Sequence, residues 1–313
     1  MHPGFSVIFL TTLIGAGQGL FLALYAAEIA SLAQVLAPMP GRAFWVGGSL
    51  LSLLLTAMGA VASLFHLGHP ERAWRAMAMW RTSWLSREGI ALLAFVGLVF
   101  AYGLAHWFGW RSSAAVGAAG ALLCIVLFVC TGMIYVCVRF LQEWASPLTV
   151  ANFVLLGCAS GMTLASAYAA FTARELTGIY AAAAMVFTLL GLATRSASLI
   201  RNGRIKRKSS VQSATGIHHP RIVQKSQGFT GSSYNTREFF HRRSAGFLRN
   251  VKWIFLALAF AVPLALLALG SRTDSAALLG LAFAVQYVGL IAERWFFFAQ
   301  AKHPQNLYYQ AIS

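Results

Sequence analysis

Eight long apolar segments dominate this sequence, and each is long enough to cross a lipid bilayer as a helix. A spanning helix needs about 20 mainly apolar residues, and its backbone polar groups must be hydrogen-bonded within the segment. Only 10% of the 313 residues are charged, against about 25% in soluble domains. We therefore predict an all-α, polytopic protein that forms a single membrane domain over residues 1–313. The predicted spans lie near 5–35, 43–65, 87–108, 113–139, 147–171, 177–200, 251–270 and 275–299.

The distribution of basic residues predicts how these helices are oriented. An even number of spans puts both termini on one side, together with the connections near 66–86, 140–146 and 201–250. Basic residues concentrate on the cytoplasmic side of a membrane protein, so we expect both termini in the cytoplasm. Because topology accounts for the net charge of +16, we expect no nucleic-acid partner. Of the 24 Lys and Arg residues, the four assigned to the opposite side are Arg42, Arg111, Arg174 and Arg272.

The residues that could ligate a metal show no ligand pattern. The four cysteines lie in apolar stretches and lack the spacing of cluster ligands, so the chain cannot hold an iron–sulfur cluster through its own cysteines. His66 and His69 have no certain third ligand. No histidines face one another from within helices as a haem would require, so we expect neither metal nor haem. The cysteines are Cys124, Cys130, Cys137 and Cys158.

The connection 66–86, an interfacial loop or helix, contains the first candidate site. His66 lies at the membrane edge, and Glu88 opens the third span. Ionisable residues at this depth are costly and point to function. A histidine can exchange a proton near neutral pH, a carboxylate can pass the proton on, and Arg72 could hold a carboxylate or polarise a ligand oxygen.

A structural interpretation of the same connection stays open. Its tryptophans and arginines are typical of a helix lying at the level of the lipid headgroups. Glu88 in the first turn of a helix also suits the helix dipole.

The basic connection 201–250 is the second candidate site. Its stretch 216–244 contains Phe229, Tyr234, Phe239 and Phe240, whereas disordered linkers are poor in aromatic residues. This mixture favours a segment that docks on a partner subunit at the membrane surface. The alternative is a solvated loop attracted to anionic membrane lipids.

Several motifs resemble one known family. FHLGHPERAWRAM (65–77), WLSRE (84–88) and QGFTGSSYNTREFFH (227–241) resemble the membrane-anchor subunit of dimethyl-sulfoxide-reductase-type molybdoenzymes. HPGFSVIFLTTLIGAGQGLFLALY (2–25) is similar to the branch that anchors sulfite dehydrogenases. The resemblance implies a bacterial inner-membrane protein with two partners. One is a ferredoxin-like subunit with four [4Fe–4S] clusters, and the other is a molybdopterin catalytic subunit.

The resemblance also implies a role for particular residues. The anchor exchanges electrons with quinone, either ubiquinone or menaquinone, and is not catalytic in isolation. His66 is implicated at the quinone site, with Arg72 and Glu88 as matching neighbours. The expected subunit-docking residues are Phe229, Tyr234, Arg237, Phe239 and Phe240.

We expect sulfite oxidation coupled to quinone reduction, with the cluster subunit on the cytoplasmic face. Reduction of dimethyl sulfoxide or a related S- or N-oxide by menaquinol is the alternative within the family. A stand-alone secondary transporter is the alternative of another class. It predicts a polar site at mid-membrane on broken helices, whereas the ionisable residues here lie mainly toward one face. A third alternative is a scaffold without a quinone site, which shares every topological feature with a quinone-reactive anchor.

Overall fold

The computed structural model describes residues 1–36, 40–206, 209–226 and 238–308, and within these ranges the chain is helical and contains no β-strand. Eight of its helices are long and apolar enough to cross a membrane. The predicted fold class and the predicted number of spans are confirmed. The helices are α1 (Phe5–Leu32), α2 (Arg42–Leu64), α3 (Trp84–Phe108), α4 (Ser113–Val136), α5 (Pro147–Thr172), α6 (Arg174–Gly203), α7 (Ala245–Arg272) and α8 (Ala276–Gln300).

Polar capping residues set several helix ends that hydropathy places elsewhere. The α3 helix begins before residue 87 because the Ser83 hydroxyl accepts a hydrogen bond from the Ser86 N–H at 3.4 Å. The α7 helix begins before residue 251 because Ser244 caps the N–H of Phe247 at 3.3 Å. Such caps satisfy backbone donors that the helix itself leaves unpaired.

The α1 and α5 helices form the buried centre of the bundle, and glycines let their backbones touch. A Cβ atom added to Gly19 would lie 2.9 Å from the Cα of Gly161 and 3.1 Å from the Cα of Cys158. Small residues at an interface allow this close approach in membranes, where packing replaces the hydrophobic effect between helices. The outer helices expose apolar side chains instead, as Leu50, Leu54 and others of α2 do.

Aromatic residues close the end of the bundle that carries the N-terminus, the end of α8, the connections 65–83 and 137–146 and the described parts of the connection 204–244. We call this end the basic end. Tyr135 stacks on Phe153 with ring centroids 5.3 Å apart, and the Trp144 indole N–H donates to the Phe297 carbonyl at 3.1 Å. The predicted interfacial segment contains a 3-10 helix, Pro70–Met77, and it exposes Trp74 and Trp80 as a headgroup-level segment does.

The opposite end has its own buried polar group, at Glu28. One carboxylate oxygen accepts a hydrogen bond from the Ser113 hydroxyl at 2.6 Å and lies 3.4 Å from His106 Nε2. Glu28 therefore lies near the face opposite His66. Ser113 satisfies one of its carboxylate oxygens, and the other has no hydrogen-bond partner among the described residues.

Candidate functional site

A narrow cavity of about 20 Å³ lies among α1, α3, α4, α5 and α8, within the membrane near the basic end, and we call it the pocket. Its charged lining residues are Glu88 of α3 and Arg294 of α8, and Gln18 and Thr131 are among its polar ones. Aliphatic and aromatic side chains such as Phe128 form most of the remaining wall. Small-molecule sites combine an apolar lining with a few placed polar groups. The chemistry of this lining suits an apolar ring compound that carries polar atoms, although the open space itself holds only about one water molecule.

Glu88 is fixed in the pocket by α4. Its carboxylate accepts a hydrogen bond from the Thr131 hydroxyl at 2.5 Å. That bond reaches one carboxylate oxygen, and no hydrogen bond from a described residue reaches the other. That oxygen is free to bind a ligand or to carry a proton.

The start of α3 is held firmly, so the position of Glu88 is fixed as well. The Arg87 guanidinium donates to the carbonyls of Trp80 at 2.9 Å and Arg81 at 2.7 Å, and it lies over the Trp84 ring. The Ser86 hydroxyl donates to the Ala76 carbonyl. These bonds join the first turn of α3 to the interfacial segment.

Three buried charged residues lie on the side of the pocket opposite Glu88. They are Arg195, Glu293 and Arg294. One carboxylate oxygen of Glu293 lies 2.7 Å from Nε of Arg195, and the other lies 2.9 Å from Nε of Arg294. The three side chains are between 1% and 4% exposed. One carboxylate therefore serves as the counterion of both guanidinium groups. Of the three, Arg294 alone is in the described pocket lining.

His66 and Arg72 do not line this pocket. His66 lies in the exposed connection after α2, and its backbone N–H donates to Ser63 at 3.4 Å. The surrounding protein removes part of the water around the ring, which lowers the pKa of His66 below its ordinary value. Arg72 lies 3.6 Å from Glu71, which also pairs with His69 at 3.0 Å. The structure therefore brings neither residue into contact with Glu88.

The expected docking residues divide into two groups. Phe229, Tyr234 and Arg237 lie outside the described residues. Phe239 stacks on His303 with centroids 3.7 Å apart, and Phe240 is buried. Both phenylalanines thus contact the chain itself, and their docking role stays a prediction.

In the part of the chain that the structure describes, no group of three or more His, Cys, Asp or Glu side chains is placed to hold a metal ion. All four cysteines are free, and Cys137 is the exposed one.

Of the two charged residues that line the pocket, the sequence predicts Glu88 as a site residue and does not predict Arg294. Gln18 and Thr131 also line the pocket, and the sequence does not predict them as site residues either. A usable signal was present in Arg294, because an arginine in the last third of α8 lies at the same membrane depth as a glutamate opening α3.

Two comparisons with known proteins give matches that cover all or nearly all of the chain. Residues 1–309 match the family described as DMSO reductase anchor subunit (DmsC). The chain is also 52% identical over 326 aligned residues to a protein from Allochromatium vinosum that is named as a sulfite dehydrogenase subunit, and the match covers 100% of both chains. All eight helices and the pocket lie inside both matched regions.

Proposed function

This chain belongs to the DMSO reductase anchor subunit family, and we propose that it passes electrons between an iron–sulfur partner subunit and the membrane quinone pool. In this proposal the chain lies in a bacterial inner membrane with both termini in the cytoplasm. A ferredoxin-like subunit docks at the basic end and connects it to a molybdopterin catalytic subunit.

The observation that carries the proposal is the pocket between Glu88 and Arg294. A quinone headgroup is a flat apolar ring with two carbonyl oxygens, which matches an apolar lining with polar groups on separate walls. In this proposal the lining side chains move apart to admit the ring, because the cavity of about 20 Å³ is too narrow for it. The pocket lies near the end where we place the cluster subunit. Electrons then cross only a short distance between the cluster and the ligand, so this chain needs no redox centre of its own.

Proton transfer is the chemistry that these residues supply. Conversion of a quinone to a quinol takes up two electrons from the partner subunit and two protons. Glu88 exchanges protons with the ligand through its free oxygen, while Thr131 holds the carboxylate in place. His66, kept largely neutral at pH 7 by its lowered pKa, accepts protons at the membrane edge. Arg72 pairs with Glu71 at the exposed surface, and in this proposal it lies outside the proton path.

The substrate we propose for the complex is sulfite, with quinone as the electron acceptor. The sulfite dehydrogenase relative supports this choice, because it is 52% identical over the full length. Reduction of a sulfoxide by menaquinol is the second candidate, which the description of the matching family favours.

Glu88→Gln tests the quinone site, with Glu71→Gln as the matched control on the exposed surface. In the intact complex we expect Glu88→Gln to lower sulfite-dependent reduction of decylubiquinone at least about 100-fold, the size of a lost general acid–base. Oxidation of sulfite with ferricyanide should stay unchanged, and Glu71→Gln should resemble wild type. Unchanged quinone reduction in Glu88→Gln would exclude Glu88 from the reaction. If wild-type chain purifies alone, without a cysteine-rich or a molybdopterin partner, the proposed complex is wrong.

A further inference from the structure

The three buried residues behind the pocket carry one more positive charge than their contacts balance. Arg195 and Arg294 share the single carboxylate of Glu293, and all three side chains are nearly inaccessible. A buried charge is costly unless it is paired. The surplus charge therefore needs a negative partner or a functional reason.

Arg294 is the member of the three that can direct this charge at a ligand. Its Nε lies 2.9 Å from the Glu293 carboxylate, and its guanidinium lies over the ring of Phe153 at 4.1 Å. Among the described residues, its hydrogen-bonding contact is the one that Nε makes with Glu293, and none involves its two terminal nitrogens. Both Arg294 and Phe153 line the pocket. The side chain is thus fixed at Nε, and the N–H groups of both terminal nitrogens are left to donate.

Resting on the proposed function, we infer that Arg294 binds an oxygen of the quinone ring and stabilises the negative charge that forms there during electron transfer. Arg294 and Glu88 come from different helices and line the same pocket. A cation with prearranged donors in a site of low dielectric constant stabilises such a charge strongly. Arg195 has the same partner but does not line the pocket.

The reaction balances with these two residues in separate roles. In the reducing direction the partner's iron–sulfur cluster supplies two electrons, and two protons reach the ring oxygens, with Glu88 protonated again from water between the two transfers. Each electron places negative charge on an oxygen before the proton arrives, and Arg294 stabilises that charge. In the oxidising direction the same contact favours loss of the hydroxyl proton to Glu88 before the electron leaves. Arg294 therefore acts in both directions.

Three variants of the intact complex test this assignment: Arg294→Gln, Arg294→Lys and the matched control Arg195→Gln. The readouts are kcat and KM for decylubiquinone with sulfite, and the Kd of the quinone-site inhibitor heptyl-hydroxyquinoline N-oxide, measured by fluorescence quenching without turnover. We expect Arg294→Gln to lower kcat about 100-fold, the effect of removing a charge-stabilising donor, and to weaken the inhibitor at least about 10-fold. Arg195→Gln should keep inhibitor binding within about 3-fold of wild type, because its guanidinium does not reach the pocket.

Ferricyanide-linked sulfite oxidation confirms assembly of each variant. If Arg294→Gln does not assemble, Arg294→Lys decides the test, since it keeps the charge but loses the planar fork. It should still lower kcat about 10-fold. Equal losses of inhibitor binding in Arg195→Gln and Arg294→Gln would reduce Arg294 to a structural role and overturn the inference. So would wild-type values in Arg294→Lys. Failure of the proposed function looks different, because the wild-type complex itself would then neither bind the inhibitor nor reduce quinone.

Discussion

Glu293→Gln should destabilise this protein more than an ordinary surface substitution does. The carboxylate lies 2.7 Å from Arg195 and 2.9 Å from Arg294, and its side chain is 1% exposed. Removing one partner of a buried pair costs about 3–5 kcal/mol, because the other charge stays buried. Here one substitution leaves two guanidinium groups without a counterion, so we expect about 5 kcal/mol. That is a large fraction of the roughly 5–15 kcal/mol that stabilises a typical domain.

The assay is thermal unfolding of the purified complex in mild detergent, followed by tryptophan fluorescence. At about 2–4 °C per kcal/mol, Glu293→Gln should lower Tm by about 10 °C or more. Glu71→Gln is the matched control, since Glu71 also contacts two partners, His69 and Arg72, but is 62% exposed. Exposed pairs contribute about 0–1 kcal/mol, so its Tm should fall by at most a few degrees. Equal Tm values for the two variants would refute the reasoning about buried charge.

Three further predictions concern packing and proton transfer. Gly19→Ala should cost about 1–3 kcal/mol through overpacking, since its Cβ meets the backbone of Gly161, whereas Gly97→Ala meets no atom within 4 Å and should leave Tm unchanged. His66→Ala should leave the complex assembled but sharply lower its quinone-linked turnover, and unchanged turnover would remove His66 from the mechanism. Because burial lowers the pKa of His66, the neutral ring prevails above that pKa. The rate advantage of wild type over His66→Ala should therefore shrink as pH falls through it.

The sequence was enough to predict the fold because lipid imposes a simple rule. Each span must be apolar over its whole length and must bond its own backbone, so hydropathy alone found all eight helices. Hydropathy did not locate the ends of the helices. Ser83 and Ser244 cap α3 and α7 outside the apolar runs, and a hydropathy window does not register a single capping hydroxyl.

The candidate site was only partly predictable, because it depends on how distant helices pack. Glu88 could be identified from its own position at the start of a span. Its contact with Thr131 joins residues of different helices, which no local pattern reports. Glu293 and Arg294 are adjacent in sequence, yet only Arg294 lines the described pocket. Consecutive residues on a helix differ in direction by about 100°, so the roles of the two depend on the rotation of α8.

The motif around His66 raised a different difficulty. His66, Arg72 and Glu88 form one recognisable stretch, but nearness in sequence does not place them in one pocket. The turn at Gly68 and Pro70 puts His66 in an exposed connection, while Glu88 enters the bundle with α3. Our proposal therefore separates their roles, with Glu88 at the ligand and His66 at the membrane edge.

The most direct test of the account is the rate of sulfite-dependent decylubiquinone reduction in membranes that contain or lack this chain. We predict that membranes without the chain lose this rate, while ferricyanide-linked sulfite oxidation moves to the soluble fraction because its enzyme is no longer anchored. Restoring the wild-type chain should restore both, and restoring Glu88→Gln should restore anchoring without quinone reduction. Undiminished quinone reduction in membranes that lack the chain would contradict the account.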